Sequence, residues 1–284
     1  VSTAAFGDLR FQGGWTGGEW TGEQLGAHSP TFAGYPDDLS GSFSQSGSRF
    51  TVTGAGDIAP AVREALPTGG TVRDILTGTF AALIAVIVVG ALFITTEYRH
   101  NMIHLTLAAS PRRSRVLMAK AIVLGAVTFV AGLVGTVLAI PLGERLAKAK
   151  GVYIFPVSSS TELRVALGTA ALLATASVLA LAVSTVFRHS SGAVTTVIVA
   201  IVLPYILTAI PFMPESAANW LSRVTPAAAF AVQQTLVRYD QVASHYTPYN
   251  GYYPLAPWAG FAVLAAYAVA SLAVAAVLLN RRDA

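Results

Sequence analysis

The chain has 284 residues, 54% of them hydrophobic and 11% charged, with no cysteine and a formal charge of +4 from 18 Lys and Arg against 14 Asp and Glu. Soluble chains of this size carry about 25% charged residues, so an ordinary soluble enzyme is excluded, as is any disulfide framework or zinc-cysteine site. The small basic excess does not point to nucleic acid, because the Lys and Arg residues gather in particular loops.

Residues 1–74 hold eight acidic and four basic side chains, many Gly, Ser and Thr, and almost no helical period. Alternation at Phe50-Thr51-Val52-Thr53, with Phe43 nearby, predicts short strands separated by turns such as Thr53-Gly54-Ala55-Gly56-Asp57. This region is expected to be Gly-rich, extracellular and in part β.

From residue 75 the chain becomes apolar. A bilayer core about 30 Å thick needs roughly 20 apolar residues in helix, and five stretches meet that test: 75–96, 118–141, 165–187, 192–212 and 257–279. None carries Asp, Glu, Lys or Arg deep inside. Five such stretches predict an all-α polytopic membrane protein with residues 75–284 as its transmembrane domain.

The link after the first stretch is the most informative. Projected at about 100° per residue, Tyr98, Met102, Leu105 and Ala109 form an apolar stripe. Glu97, Asn101 and His104 form a polar strip flanked by His100, and Ile103 with Leu107 lie on a second apolar flank. A helix over 97–110 built this way can rest on the membrane domain and still offer a surface to another protein. Pro111 ends it, and Arg112, Arg113 and Arg115 anchor the turn at the inner leaflet. His100 and His104 stand four apart on one helix face, but no further His and no Cys is close in sequence, so no metal site is assigned.

Polar positions inside the later stretches are hydroxyls: Thr128, Thr136, Thr175, Ser177, Ser184, Thr195 and Thr196. Ala176, Ala180 and Ser184 have the four-residue spacing of close helix packing, and packing is preferred over substrate contact. Within the long connection over 213–256, residues 215–240 are apolar enough for two short helices broken at Pro226, lying in or dipping into the outer interface. Trp220, Tyr252, Tyr253 and Trp258 are read as an aromatic belt at that interface, because their rings pair an apolar body with a polar tip.

Orientation follows from the connections, since basic loops stay in the cytoplasm. The first link, the third link with Arg188 and the tail with Arg281 and Arg282 hold eight basic and two acidic residues. The remaining parts hold ten basic and twelve acidic residues. The C-terminus is thus expected inside and residues 1–74 outside, and an acidic external segment there calls for a further membrane span preceding it in the parent protein.

The chain contains no GxxxxGK[ST] loop, no HExxH and no GxSxG elbow, so no catalytic residue is assigned. Carriers driven by protons or sodium keep ionisable groups in the membrane; their absence places the energy source outside this chain.

At the 97–115 link the sequence resembles the ABC-2 type permeases, the membrane subunits of ABC exporters, in an actinobacterial-like branch. Matching stretches are Thr53-Gly54-Ala55-Gly56-Asp57-Ile58, Thr96-Glu97-Tyr98-Arg99 with Thr106-Leu107-Ala108-Ala109-Ser110-Pro111-Arg112-Arg113, Trp220 with Thr225-Pro226-Ala227-Ala228, and Arg281-Arg282-Asp283-Ala284. Where members of that family show Gly-Thr-Ile-Arg, this chain has Asn101-Met102-Ile103-His104. The resemblance implies a coupling helix over Glu97 to Ala109, with Glu97, Tyr98, Arg99, His100, Ile103 and His104 facing a separate ATPase subunit. It also implies six spans in the parent chain, two copies of that ATPase, a second permease subunit as homo- or heterodimer, and a bacterial inner membrane. ATP and Mg belong to the ATPase; no cofactor is expected on this chain. The expected function is export of an amphipathic small molecule, peptide or lipid. The alternative is a membrane anchor or sensor whose ectodomain binds a ligand, and a proton-coupled carrier is disfavoured.

Overall fold

A computed structural model describes residues 2–7, 42–47, 49–54, 69–99, 113–154, 157–208, 213–236 and 247–282. The chain divides into two compact units, Val1–Gly69 and Gly70–Ala284.

In the first unit, β1 (Ser2–Phe6), β2 (Ser42–Ser46) and β3 (Arg49–Gly54) form an antiparallel sheet in the order β1-β3-β2. Period-2 alternation puts Phe50 and Val52 on one face of β3, and Phe43 of β2 stands opposite Val52 with its ring 6.1 Å from that of Phe50. Thr3 and Thr53, also opposite each other, share a hydroxyl hydrogen bond of 3.2 Å. Gly47, at φ 61°, supplies the left-handed residue that a tight turn between β2 and β3 needs. Residues 55–57 of the predicted turn lie outside the described residues.

The second unit is helical, and five of its helices are long and apolar enough to cross a membrane. The first begins three residues earlier than hydropathy suggested, as α1 (Val72–Ile75), a 3-10 turn over Leu76–Gly78, and α2 (Thr79–Arg99). Thr71 and Asp74 start it reciprocally: the Asp74 carboxylate accepts from both the Thr71 N–H and its hydroxyl at 2.8 Å. Next comes α3 (Arg113–Ala149), whose 37 residues run about 55 Å. It passes through Pro141 where the sequence suggested an end, and continues over Gly143, whose missing side chain leaves room for Ile75 of α1.

α4 (Ser159–Phe187) opens on a Ser158 cap that accepts from the Thr161 N–H, and closes at Arg188 in the left-handed region, φ 58°. The sharp turn there sends the chain directly into α5 (Ser190–Leu207), which ends near Thr208, short of the 212 expected. α6 (Glu215–Val224), a 3-10 helix over Pro226–Gln233 and a 3-10 turn over Pro248–Asn250 lead to α7 (Pro257–Arg282).

α4 is the central helix. Two-thirds of its apolar stretch (67%) is buried in the protein, against 33% in the first span and 22% in the other three. In a bilayer the surrounding lipid is as apolar as the helices, so association rests on close packing rather than on water exclusion. The sequence meets that need with small residues. A methyl group on Gly90 of α2 would overlap the Ser177 carbonyl of α4, and one on Gly132 of α3 would come within 3.2 Å of the Ala170 Cα of α4. Thr128 and Ser177 join α3 to α4 by a buried 3.0 Å hydrogen bond, and each hydroxyl also contacts a carbonyl of its own helix. Ala176, Ala180 and Ser184 are fully buried, whereas Thr195 and Thr196 face outward. The outward face of α3, with Ile122, Val127, Val130 and Leu138 all more than half exposed, is continuously apolar, as a lipid-facing surface must be.

Candidate functional site

The predicted coupling helix lies largely outside the described residues. Glu97, Tyr98 and Arg99 form the last turn of α2, continuing the first span; His100, Ile103, His104 and Arg112 are not among the described positions. Arg113 opens α3 and Arg115, in its first turn, is exposed. Arg188, between α4 and α5, is also exposed, and α7 ends at Arg281 and Arg282. Successive spans cross the bundle in alternate directions, so these basic residues share one end of it.

At the opposite end the structure departs from the expected aromatic belt. Trp220 and Trp258 are 62% and 51% exposed, the geometry of interface anchors. Tyr252 and Tyr253 are not placed that way. Tyr252 is 4% exposed and packs on Leu236, and the Tyr253 hydroxyl is buried. The reason is local: Gly251, at φ 93°, reverses the chain after the 3-10 turn, and the Tyr252 N–H bonds back to the Thr247 carbonyl at 3.1 Å, directing both rings inward.

The two predicted short helices also differ from each other. α6 is amphipathic, with Ala218 and Ser222 buried and Trp220 outward, where Arg223 lies 5.6 Å over its ring. The 3-10 helix after Pro226 is buried at all eight residues. Its Ala-rich sequence lets the backbone approach α7, where Gly260 faces the Ala228 carbonyl, and α4, where Gly168 faces Val232.

That buried segment carries two side chains into the bundle. Phe230, 1% exposed, meets Phe80 of α2 at 5.0 Å and Tyr205 of α5 at 5.1 Å, and Phe80 and Tyr205 are 4.9 Å apart, so three elements contribute one ring each to a closed triad. Gln233, also buried, donates from Nε2 to Thr79 of α2 and Thr169 of α4, both at 3.1 Å. Arg164 of α4 donates to the Gln234 carbonyl at 2.6 Å, closing the end of the same segment.

Above the triad stands a group that hydropathy assigned to the external region, Arg73 of α1. Its guanidinium donates to the Tyr249 carbonyl at 3.0 Å, to the Pro248 carbonyl at 3.2 Å and to the Tyr205 hydroxyl. It also lies 5.8 Å over the Tyr205 ring and 5.9 Å over that of Tyr253. Burial pushes the Tyr253 phenol above its ordinary pKa, with the Arg73 charge opposing, so the hydroxyl is neutral at physiological pH. The Asp74 carboxylate, bonded to Thr71, contributes its charge nearby. A fork of planar donors suits three divergent acceptors in a way that a lysine does not. Arg73 at the edge of an apolar run was visible in the sequence, but its partners lie more than 130 positions away.

Among the described residues, no three His, Cys, Asp or Glu gather as a metal site, and the fully buried polar side chains are Thr, Ser and Gln233. Such a chain is a multi-pass helical membrane protein. Residues 64–277 match the family model described as ABC-2 family transporter protein. The chain belongs to that family and is a membrane subunit of a transporter, a role that implies association with an ABC ATPase. No curated protein and no solved structure gave a significant match.

Proposed function

We propose that this chain is the permease subunit of an ATP-driven exporter, moving an amphipathic small molecule, peptide or lipid across a bacterial inner membrane. The observation that carries the reading is a bundle of five apolar helices whose described interior offers hydroxyls, one amide and aromatic rings, without a buried carboxylate or histidine to relay protons. Energy then has to enter from a partner. ATP and Mg bind in that ATPase, two copies of which serve a dimer of permease subunits. The Glu97 to Ala109 segment begins in the last turn of α2, at the end of the bundle where Arg115 and Arg188 lie. A push on it is delivered to α2, which is interlocked with α4 at Gly90. Glu97, Tyr98, Arg99, His100, Ile103 and His104 make the contact, while Arg112, Arg113 and Arg115 hold the turn against anionic headgroups.

The test is reconstitution with the partner. A protein carrying a GxxxxGK[ST] loop should co-purify stoichiometrically, and Glu97→Ala with Arg99→Ala should abolish substrate-stimulated ATPase activity and weaken assembly. Full stimulation and normal assembly in the double variant would remove the coupling assignment. Transport that survives ATP depletion but stops when the proton gradient collapses would favour a carrier.

A further inference from the structure

We infer that Arg73 is a releasable clasp that holds the α1 end of the bundle closed over the Phe80, Tyr205 and Phe230 rings. Three observations combine. First, the clasp joins separate pieces: Arg73 sits on α1, the Tyr205 hydroxyl on α5, and the Pro248 and Tyr249 carbonyls on the turn that leads to α7.

Second, its bonds are of a kind that can be exchanged. All three acceptors are neutral; the neighbouring Asp74 carboxylate adds its charge nearby and accepts hydrogen bonds from Thr71. A guanidinium at the end of a span can extend to headgroups or water on its long stem, where equivalent acceptors wait. A buried ion pair would resist such exchange, because parting it leaves two charges unpaired.

Third, what lies on either side of the clasp differs in rigidity. α2 and α4 approach backbone to backbone at Gly90, where an added methyl would overlap the Ser177 carbonyl. α5 meets its neighbours at this end through aromatic rings, and Pro204, one residue before Tyr205, stands inside the helix. A proline there removes one helical hydrogen bond and makes that turn a natural bending point. Release of Arg73 therefore lets the last turn of α5 swing from α1 and uncover the ring triad, while the α2, α3 and α4 core stays assembled.

The absence of cysteine makes the idea directly measurable. Leu83, one turn inside Phe80 and fully buried, and Ala275, fully buried in a separate cluster with Leu117 and Leu181, are each replaced by cysteine in the full chain held in lipid nanodiscs. Labelling by a charged maleimide is then timed with Arg73 intact, with Arg73→Gln and with Tyr205→Phe. Loss of a charge-assisted bond is expected to speed labelling at position 83 by about tenfold or more in Arg73→Gln, with a smaller gain in Tyr205→Phe. Position 275 should label at the parental rate throughout. Equal acceleration at both positions would show that Arg73 supports the whole fold and would overturn the proposal, as would an unchanged rate at position 83. The measurement needs neither ATPase nor cargo, so it stands or falls separately from the exporter reading.

Discussion

Tyr253 shows how little of a residue's role its type reveals. As one of several tyrosines in a long connection, it reads as part of a headgroup belt with Tyr252; a left-handed Gly251 turns both inward. The hydroxyl of Tyr253 is buried while part of the ring remains accessible, and burial raises its pKa above that of a free phenol. The sign of the consequence is fixed by linkage. Below about pH 10 the phenol is neutral in both folded and unfolded chains and contributes no pH dependence. Above that, the unfolded chain loses the proton first, so stability falls as pH rises toward the folded pKa. Denaturation followed from pH 9 to 12 should show this loss, and Tyr253→Phe should reduce its steepness. Equal slopes in the two proteins would mean that other groups dominate alkaline unfolding. Trp220 and Trp258, by contrast, stand more than half exposed on the helices that carry them.

Among the elements, hydropathy located the five spans but misjudged where helices stop. α3 runs through Pro141, since a proline-freed carbonyl in a membrane helix finds other partners and the neighbouring helices hold the rod together, and α5 closes at Leu207. The sequence leaves the 3-10 helix over Pro226–Gln233 open between lying in the interface and dipping below it; Gly168 and Gly260 on α4 and α7 leave the space that buries it. Glycines therefore carry the element-level prediction. Gly90→Ala forces a methyl into the Ser177 carbonyl and should destabilise the bundle by about 1–3 kcal/mol, the usual range for overpacking. Gly135→Ala, on α3 with nothing within 4 Å, should be neutral or slightly stabilising, because alanine favours helix by up to about 1 kcal/mol. Unfolding of the two variants in mixed detergent and denaturant measures the contrast, and similar midpoints would contradict the close α2–α4 contact.

For the whole molecule, the partition of charge yields an orientation that can be checked without knowing the cargo. A reporter fused after Asp283 should read cytoplasmic, and one fused to the region before Gly69 should read external. Replacing Arg112, Arg113 and Arg115 with glutamate should make that pattern mixed, because the retained positive charge is what orients the first pair of spans. An unaltered pattern would show that other parts of the chain set the topology. The expected coupling segment reads in sequence as a two-sided amphipathic stretch followed by arginines and lies largely outside the described residues; the Arg73 cluster is not legible in sequence, although Arg73 and Tyr205 are both plain there.

The difference has a physical cause. Membrane insertion responds to properties that are local along the chain: the length of an apolar run, the absence of charge within it, and the basic residues flanking it. Class, number of spans and expected orientation follow from these alone. Which face of each helix turns inward, which short segment is swallowed, and whether a lone arginine meets lipid or two carbonyls and a phenol depend on residues brought together from distant positions. In a solvent as apolar as the side chains, those choices are made by fit between backbones and by the few polar groups that must find partners. That fit exists only once the helices have assembled.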